Sequence, residues 1–169
     1  MTDHHRVLEL LRHAKSDYPA AVADHDRPLA PRGEREAGLA GDWLRSGAVY
    51  PPIDAVLCST ATRTRQTLAR TGIDAPAQFL ERIYGATPGA IIDEINRVDD
   101  AARSLLVIGH EPAMSQLALG LSGADSNQAA AERIMTKYPT SAMAVLRVRG
   151  SWNALELGGA ALTTFYVPR

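Results

Sequence analysis

The sequence runs to 169 residues, 46% hydrophobic and 22% charged, the size and composition of one domain with apolar material for a full core. Its 18 basic and 19 acidic side chains leave a formal net charge of -1, so no global field favours nucleic acid or an acidic membrane surface, and any anion has to be recognised locally. One cysteine, Cys58, excludes an internal disulfide, and no window approaches ~18 uninterrupted apolar residues, which argues against a stapled secreted scaffold and against a membrane span.

The start, Met1-Thr2-Asp3-His4-His5-Arg6, lacks the basic segment and apolar stretch of a signal peptide, so a soluble cytoplasmic protein is expected, with His4 and His5 as a solvated terminus. Val7 to Leu11 reads as a buried strand feeding a functional loop, and the Pro- and Asp-rich segment Ser16 to Pro31 as a loop that stays near the strand end. From Gly33, the spacing of Ala37, Ala40 and Leu44 predicts an amphipathic helix closing near Ser46-Gly47. Ala55 to Cys58 reads as a second strand, in which Cys58 is a small buried hydrophobe. Ser59-Thr60 follows as a helix cap for Thr62 to Arg70.

Ile91, Ile92 and Ile95 give a third helical face after Pro88-Gly89, and Leu105 to Ile108 is the clearest core strand in the chain. Glu111-Pro112 opens a further helix through Leu117 and Leu121. Ala124 to Arg133 reads as a surface loop or weak helix. The last third carries three β-like runs, Ala142 to Val148, Trp152 to Leu157 and Leu162 to Val167, separated by Gly150 and Gly158-Gly159. Trp43, one helical turn after Leu39, is expected in the core. The expected fold is therefore α/β, a mainly parallel sheet with helices on both faces and an antiparallel edge, in a single domain over residues 1–169.

Three polar clusters follow three strand candidates: Arg12-His13-Ala14-Lys15-Ser16, Ser59-Thr60-Ala61-Thr62-Arg63 and Gly109-His110-Glu111-Pro112. In an open α/β sheet, ligands bind beyond the carboxyl ends of the strands, so the three clusters can converge on one pocket holding Arg12, Arg63, His13 and His110. Guanidinium forks and helix N-termini suit a tetrahedral dianion. A neutral imidazole can attack phosphorus directly, so His13 is the expected nucleophile, with Arg12, Arg63 and a protonated His110 stabilising the equatorial oxygens.

These same segments, with Arg63-Thr64-Arg65-Gln66-Thr67 continuing the second, resemble the three signatures of the histidine phosphatase (phosphoglycerate mutase-like) superfamily. Asp26-Arg27-Pro28-Leu29-Ala30-Pro31-Arg32-Gly33 and the short length look most like the SixA-type phosphohistidine phosphatases, and the resemblance spans roughly Val7 to Val148. It implies a phospho-enzyme on His13, a phosphate pocket of Arg12, Arg63 and His110, and an additional phosphate arginine at Arg27. Glu81-Arg82-Ile83-Tyr84-Gly85 resembles the segment that carries the general acid of the phosphoglycerate mutases, which makes Glu81 the candidate proton donor.

Only 47 positions separate Arg63 from His110, too few for a capping subdomain beside the elements expected there, so the site should be open. An open site suits a phosphorylated protein side chain or several small phosphorylated molecules. The expected activity is a phosphatase, without cofactor or metal, acting on phosphohistidine in proteins and working as a monomer. A small-molecule phosphomonoesterase or nucleotide-like phosphate hydrolase is the alternative within the superfamily. From other classes, a non-enzymatic phosphate-binding protein predicts binding without turnover. A metal hydrolase built on Asp24-His25-Asp26 with His13, His110 and Glu111 predicts loss of activity with a chelator.

Overall fold

The computed structural model describes residues 5–169, so the readings that concern Met1 to His4, including His4 as part of a solvated terminus, fall outside it. Six strands form one sheet: β1 (Arg6–Arg12), β2 (Ala55–Ser59), β3 (Ala77–Leu80), β4 (Ser104–Gly109), β5 (Met143–Val148) and β6 (Ala160–Tyr166). Their order is β3-β2-β4-β1-β5-β6, parallel from β3 to β1 and antiparallel across β5 and β6. The helices are α1 (Pro31–Arg45), α2 (Thr62–Thr71), α3 (Pro88–Asn96), α4 (Ala113–Leu121) and α5 (Gln128–Thr136). None of the helices among the described residues is long and apolar enough to cross a membrane.

The period-two alternation of β1 divides the core between the two faces of the sheet. Leu8 and Leu10 pack with Ile91, Leu117 and Ile134 of α3, α4 and α5. Val7 and Leu11 pack with Ala40 and Leu44 of α1, and with Cys58. Helices on both faces and near-continuous apolar parallel strands follow from the same burial. Cys58 is fully buried, and desolvation pushes its thiol up to about 12, so it is the small hydrophobe that its neighbours suggest.

Four local readings change. Trp152 to Leu157 is not a strand: Trp152–Ala154 form a 3-10 turn in which the indole is wholly buried and donates to the Ala102 carbonyl at 2.8 Å. Asn96 Nδ2 donates to the Trp152 and Leu155 carbonyls, so side chains satisfy backbone that a strand would pair. Trp43 packs against the α1-side core as expected but is only half-buried, stacked on Tyr166 with ring centroids 4.3 Å apart. The weak helix is a regular one, α5, capped by the Asn127 side chain accepting from Ala130 N at 3.0 Å. β3 escaped the sequence reading because it is a four-residue edge strand with Phe79 exposed, and so lacks an apolar pattern.

The loop from Ser16 to Leu29 folds back beside β1, its ends joined by a bridge between those two residues. Ala30 N donates to the Lys15 carbonyl at 2.9 Å, and Leu29 N to Gln66 Oε1 at 2.8 Å, so the loop is pinned to both its own start and α2. Gly33 is required here, because a Cβ would stand 2.1 Å from the Lys15 carbonyl oxygen.

Candidate active site

β2, β4 and β1 are neighbours in the sheet, so their carboxyl ends place Ser59, His110 and His13 side by side. The His13 N–H donates to the Gly109 carbonyl at 3.0 Å, and Ala14 N donates to Thr67 Oγ1 of α2 at 2.9 Å. The turn after β1 is thus fixed by both of the other clusters.

His13 is 7% exposed, and its Nδ1 lies 2.8 Å from the Ala14 carbonyl oxygen. A carbonyl only accepts, so Nδ1 carries the hydrogen and Nε2 keeps the lone pair. Burial, helped by His110, Arg63 and Arg12, pushes the imidazole down to about 3, so the ring is neutral at pH 7. His110 packs against it with ring centroids 5.2 Å apart.

His110 Nε2 hydrogen-bonds the Ser59 hydroxyl at 2.8 Å, and Nδ1 is buried without a partner among the described residues. Desolvation, then the Arg63 charge, lowers this ring to about 4. The expected protonated His110 is therefore not the state of the free site: burial and the Arg63 guanidinium outweigh the Asp24 carboxylate, which acts the other way, and keep it neutral. Ser59 also does not cap α2 as expected. The N-cap is Ala61, with no side-chain cap, and Ser59 Oγ instead accepts from Ala61 N at 3.2 Å while it holds His110.

Arg63, 6% exposed in the first turn of α2, donates through Nη1 to the Asp24 carbonyl at 2.8 Å and through Nη2 to Asp24 Oδ2 at 3.2 Å. Arg27 donates through Nε to Asp24 Oδ1 at 3.1 Å and through Nη1 to Ser16 Oγ at 2.8 Å. The Tyr84 hydroxyl completes the set, 2.5 Å from Asp24 Oδ2. One carboxylate thus holds two guanidiniums and a phenol, which sets them around a single anionic position. The Tyr84 bond, then the two arginines, holds the Asp24 carboxyl down at about 2.

Arg27 is a packed residue: its side chain is 12% exposed and its guanidinium carbon lies 4.0 Å from the Tyr18 ring centroid. Arg12 takes a different direction. As an even-numbered residue of β1 it leaves on the face of Leu8 and Leu10, where Nη1 donates to the Tyr138 carbonyl at 2.8 Å and Nε has no partner among the described residues. It is near enough to weigh on the His13 and His110 rings without sharing Asp24.

Glu81 stands at the rim, in the 3-10 turn after β3, with its side chain 71% exposed. It accepts from the Thr60 hydroxyl at 2.5 Å and faces His25 Nε2 at 3.6 Å, and it makes no direct bond to His13, Arg12, Arg63 or His110. Asp24 and Tyr84 are site residues that sequence reasoning did not assign to a phosphate pocket. Asp24 was legible only as a metal ligand, because a carboxylate within a His-Asp segment has no sequence mark of an arginine partner. Among the described residues, no group of three or more His, Cys, Asp or Glu could hold a metal ion, so Asp24, His25, Asp26, His13, His110 and Glu111 are not assembled into a ligand set. Glu111 instead accepts from the amide and hydroxyl of Ser115, at 2.7 and 2.8 Å, at the start of α4.

Residues 8–100 match the family model of the histidine phosphatase superfamily (branch 1). Rv1276c, an uncharacterized protein of Mycobacterium tuberculosis H37Rv, is 64% identical over 160 residues, which are 94% of this chain and all of that protein. Among solved structures, a candidate phosphohistidine phosphatase SixA from Nakamurella multipartitia is 38% identical and superposes with a TM-score of 0.88 over 97% of this chain and 96% of that one. A similar SixA candidate from Agrobacterium tumefaciens is 26% identical, with a TM-score of 0.78 over 96% and 98%.

Proposed function

The chain belongs to the histidine phosphatase superfamily and is of the SixA type, and from that premise we propose that it hydrolyses phosphohistidine in proteins, through a phospho-histidine formed on His13 and without a metal ion. Phosphatase activity follows from the family; the residue roles and the substrate are our reading of the geometry. The observation that carries it is the Ala14 carbonyl fixing the hydrogen on Nδ1 of a neutral His13, which leaves the Nε2 lone pair beside Arg63.

In this reading the phosphoryl group takes the place of the Asp24 carboxylate on Arg63 and Arg27, with Arg12 and the unpartnered Nδ1 of His110 reaching other oxygens. His13 Nε2 attacks phosphorus as the P–N bond of the substrate breaks. The bonding pair stays with the leaving imidazole, which takes a proton. Water then attacks the phosphoryl group, the bond to His13 breaks, both hydrogens of the water leave with the phosphate, and His13 returns neutral. Imidazole is a better leaving group than an alkoxide, so Glu81 can remain at the rim, relaying a proton when it is needed.

The bond from the Thr60 hydroxyl to Glu81 favours a second reading within the family, acid-assisted hydrolysis of small phosphoesters. The test is phosphate release and intact mass with a phosphohistidine peptide and an aryl phosphate, in EDTA, for the wild type and His13→Ala. Release that survives EDTA, a transient added phosphoryl mass, and loss of both in His13→Ala are expected, with the peptide preferred. A preference for the aryl phosphate selects the second reading. Turnover retained by His13→Ala, or abolished by EDTA, overturns the mechanism, and binding without turnover makes the protein a phosphate binder.

A further inference from the structure

A groove of about 600 Å³ opens beside Arg12, between the start of α1 and the segment that joins α5 to β5. Lys15, Arg32, Arg35, Lys137 and Arg169 line it with Arg12, and Glu36 is its only acidic side chain. A chain of net charge -1 thus gathers six cationic side chains against one acidic side chain.

Internal pairing leaves much of this charge unanswered. Glu36 faces Arg32 Nε at 3.4 Å and Arg169 Nη1 at 3.2 Å. No carboxylate among the described residues forms an ion pair with Lys15, Arg35 or Lys137, whereas Asp24, Asp42 and Glu94 are each paired with arginines elsewhere.

The position of two of these cations has its own cost. Arg32 and Arg35 fall in the first five residues of α1, whose N-cap, Ala30, supplies no side-chain bond. Cations at the positive end of a helix dipole oppose it, and the acid of that first turn, Glu34, is paired with Arg70 of α2 at 3.2 Å. An anion held in the groove would answer both the dipole and the guanidiniums.

The lining includes no aromatic ring on which a base or sugar could stack, and the exposed cations are spread over a space larger than one phosphate fills. We propose that the groove receives an acidic flank of the phosphorylated protein, carboxylates placed next to the phosphohistidine, with Arg12 standing between the flank and the phosphoryl group. This rests on the phosphohistidine reading above and adds the substrate's charge pattern to it.

The experiment uses Arg35→Gln/Lys137→Gln, two positions outside the catalytic cluster. A fluorescein-labelled Glu-rich decapeptide should bind the wild type, with anisotropy showing about tenfold weaker binding to the double variant and in raised salt. Phosphohistidine peptides with acidic flanks should exceed neutral ones about tenfold in kcat/KM for the wild type and equal them in the variant, with hydrolysis of a small phosphoramidate unchanged.

Equal peptide binding by wild type and variant, or a flank preference that survives the substitutions, overturns the proposal. Displacement of the labelled peptide by tripolyphosphate at about hundredfold lower concentration reassigns the groove to a small polyphosphate and also overturns it. Groove-dependent peptide binding together with turnover of aryl phosphate and none of phosphohistidine would leave the acidic-flank site standing and overturn the substrate reading alone.

Discussion

Two buried ionisable side chains lie four residues apart along the chain, Glu9 in the middle of β1 and His13 just past its end, both under a tenth exposed. Burial makes both neutral, by raising the Glu9 carboxyl well above the usual carboxylate range and lowering the His13 imidazole to about 3. Around Glu9 there is one hydroxyl, Ser104 at 2.9 Å, and its Oε2 has no partner among the described residues. Asp54 nearby is already engaged by the Arg103 and Ser104 amides. Around His13 stand a second imidazole, a guanidinium and a bond that selects the tautomer. Desolvation alone produces an inert acid in one place; with cations and a fixed lone pair it produces a candidate nucleophile in the other.

The sharpest test of that contrast is His13→Ala, expected to lower kcat/KM at least ~10³-fold and abolish the phosphoryl adduct, with the circular dichroism of the fold retained. An adduct that persists would place the nucleophile elsewhere. Arg63→Gln should cost ~10²-fold in kcat/KM, and Arg63→Lys should restore little of it, since a point charge cannot span two oxygens as the guanidinium does.

The buried histidines and Glu9 also predict opposite responses of stability to pH. His13 and His110 are held at about 3 and about 4, below an unfolded value of 6.5, so the unfolded chain binds the additional protons. Their contribution to stability is full above pH 6.5 and falls as pH drops toward 4, by up to about 1.4 kcal/mol per histidine per pH unit. Urea midpoints across that range should show this slope, and His110→Ala should flatten it. A slope unaltered by the substitution would mean that the rings are not held neutral.

Glu9 acts in the other direction, because its folded carboxyl stays protonated where the unfolded one ionises, so stability declines as pH rises from about 4.5. Glu9→Gln should therefore gain on the order of 1 kcal/mol at pH 8 and nothing at pH 4, with kcat/KM within about twofold of wild type. A loss of activity would tie Glu9 to the His13 site.

Much of the site was legible because its determinants are local. Apolar runs of four to six residues ending in Arg-His, Ser-Thr or Gly-His announce strand ends with polar groups, and the observed β1, β2 and β4 carry them. Trp152 to Leu157 misled because β-propensity measures fit to a half-buried surface, and here one large indole takes that burial as a plug.

By itself the sequence determined the α/β order, the antiparallel edge, the three polar clusters and the family, since periodicity and motif are properties of neighbouring residues. Only the tertiary structure decided which strand ends touch, that Arg12 leaves β1 on the face of Leu8 and Leu10 without sharing Asp24, that Asp24 gathers Arg63, Arg27 and Tyr84, and that both histidines are neutral. Those outcomes depend on strand order, on side-chain direction and on the water excluded by remote parts of the chain, none of which is encoded at any one position.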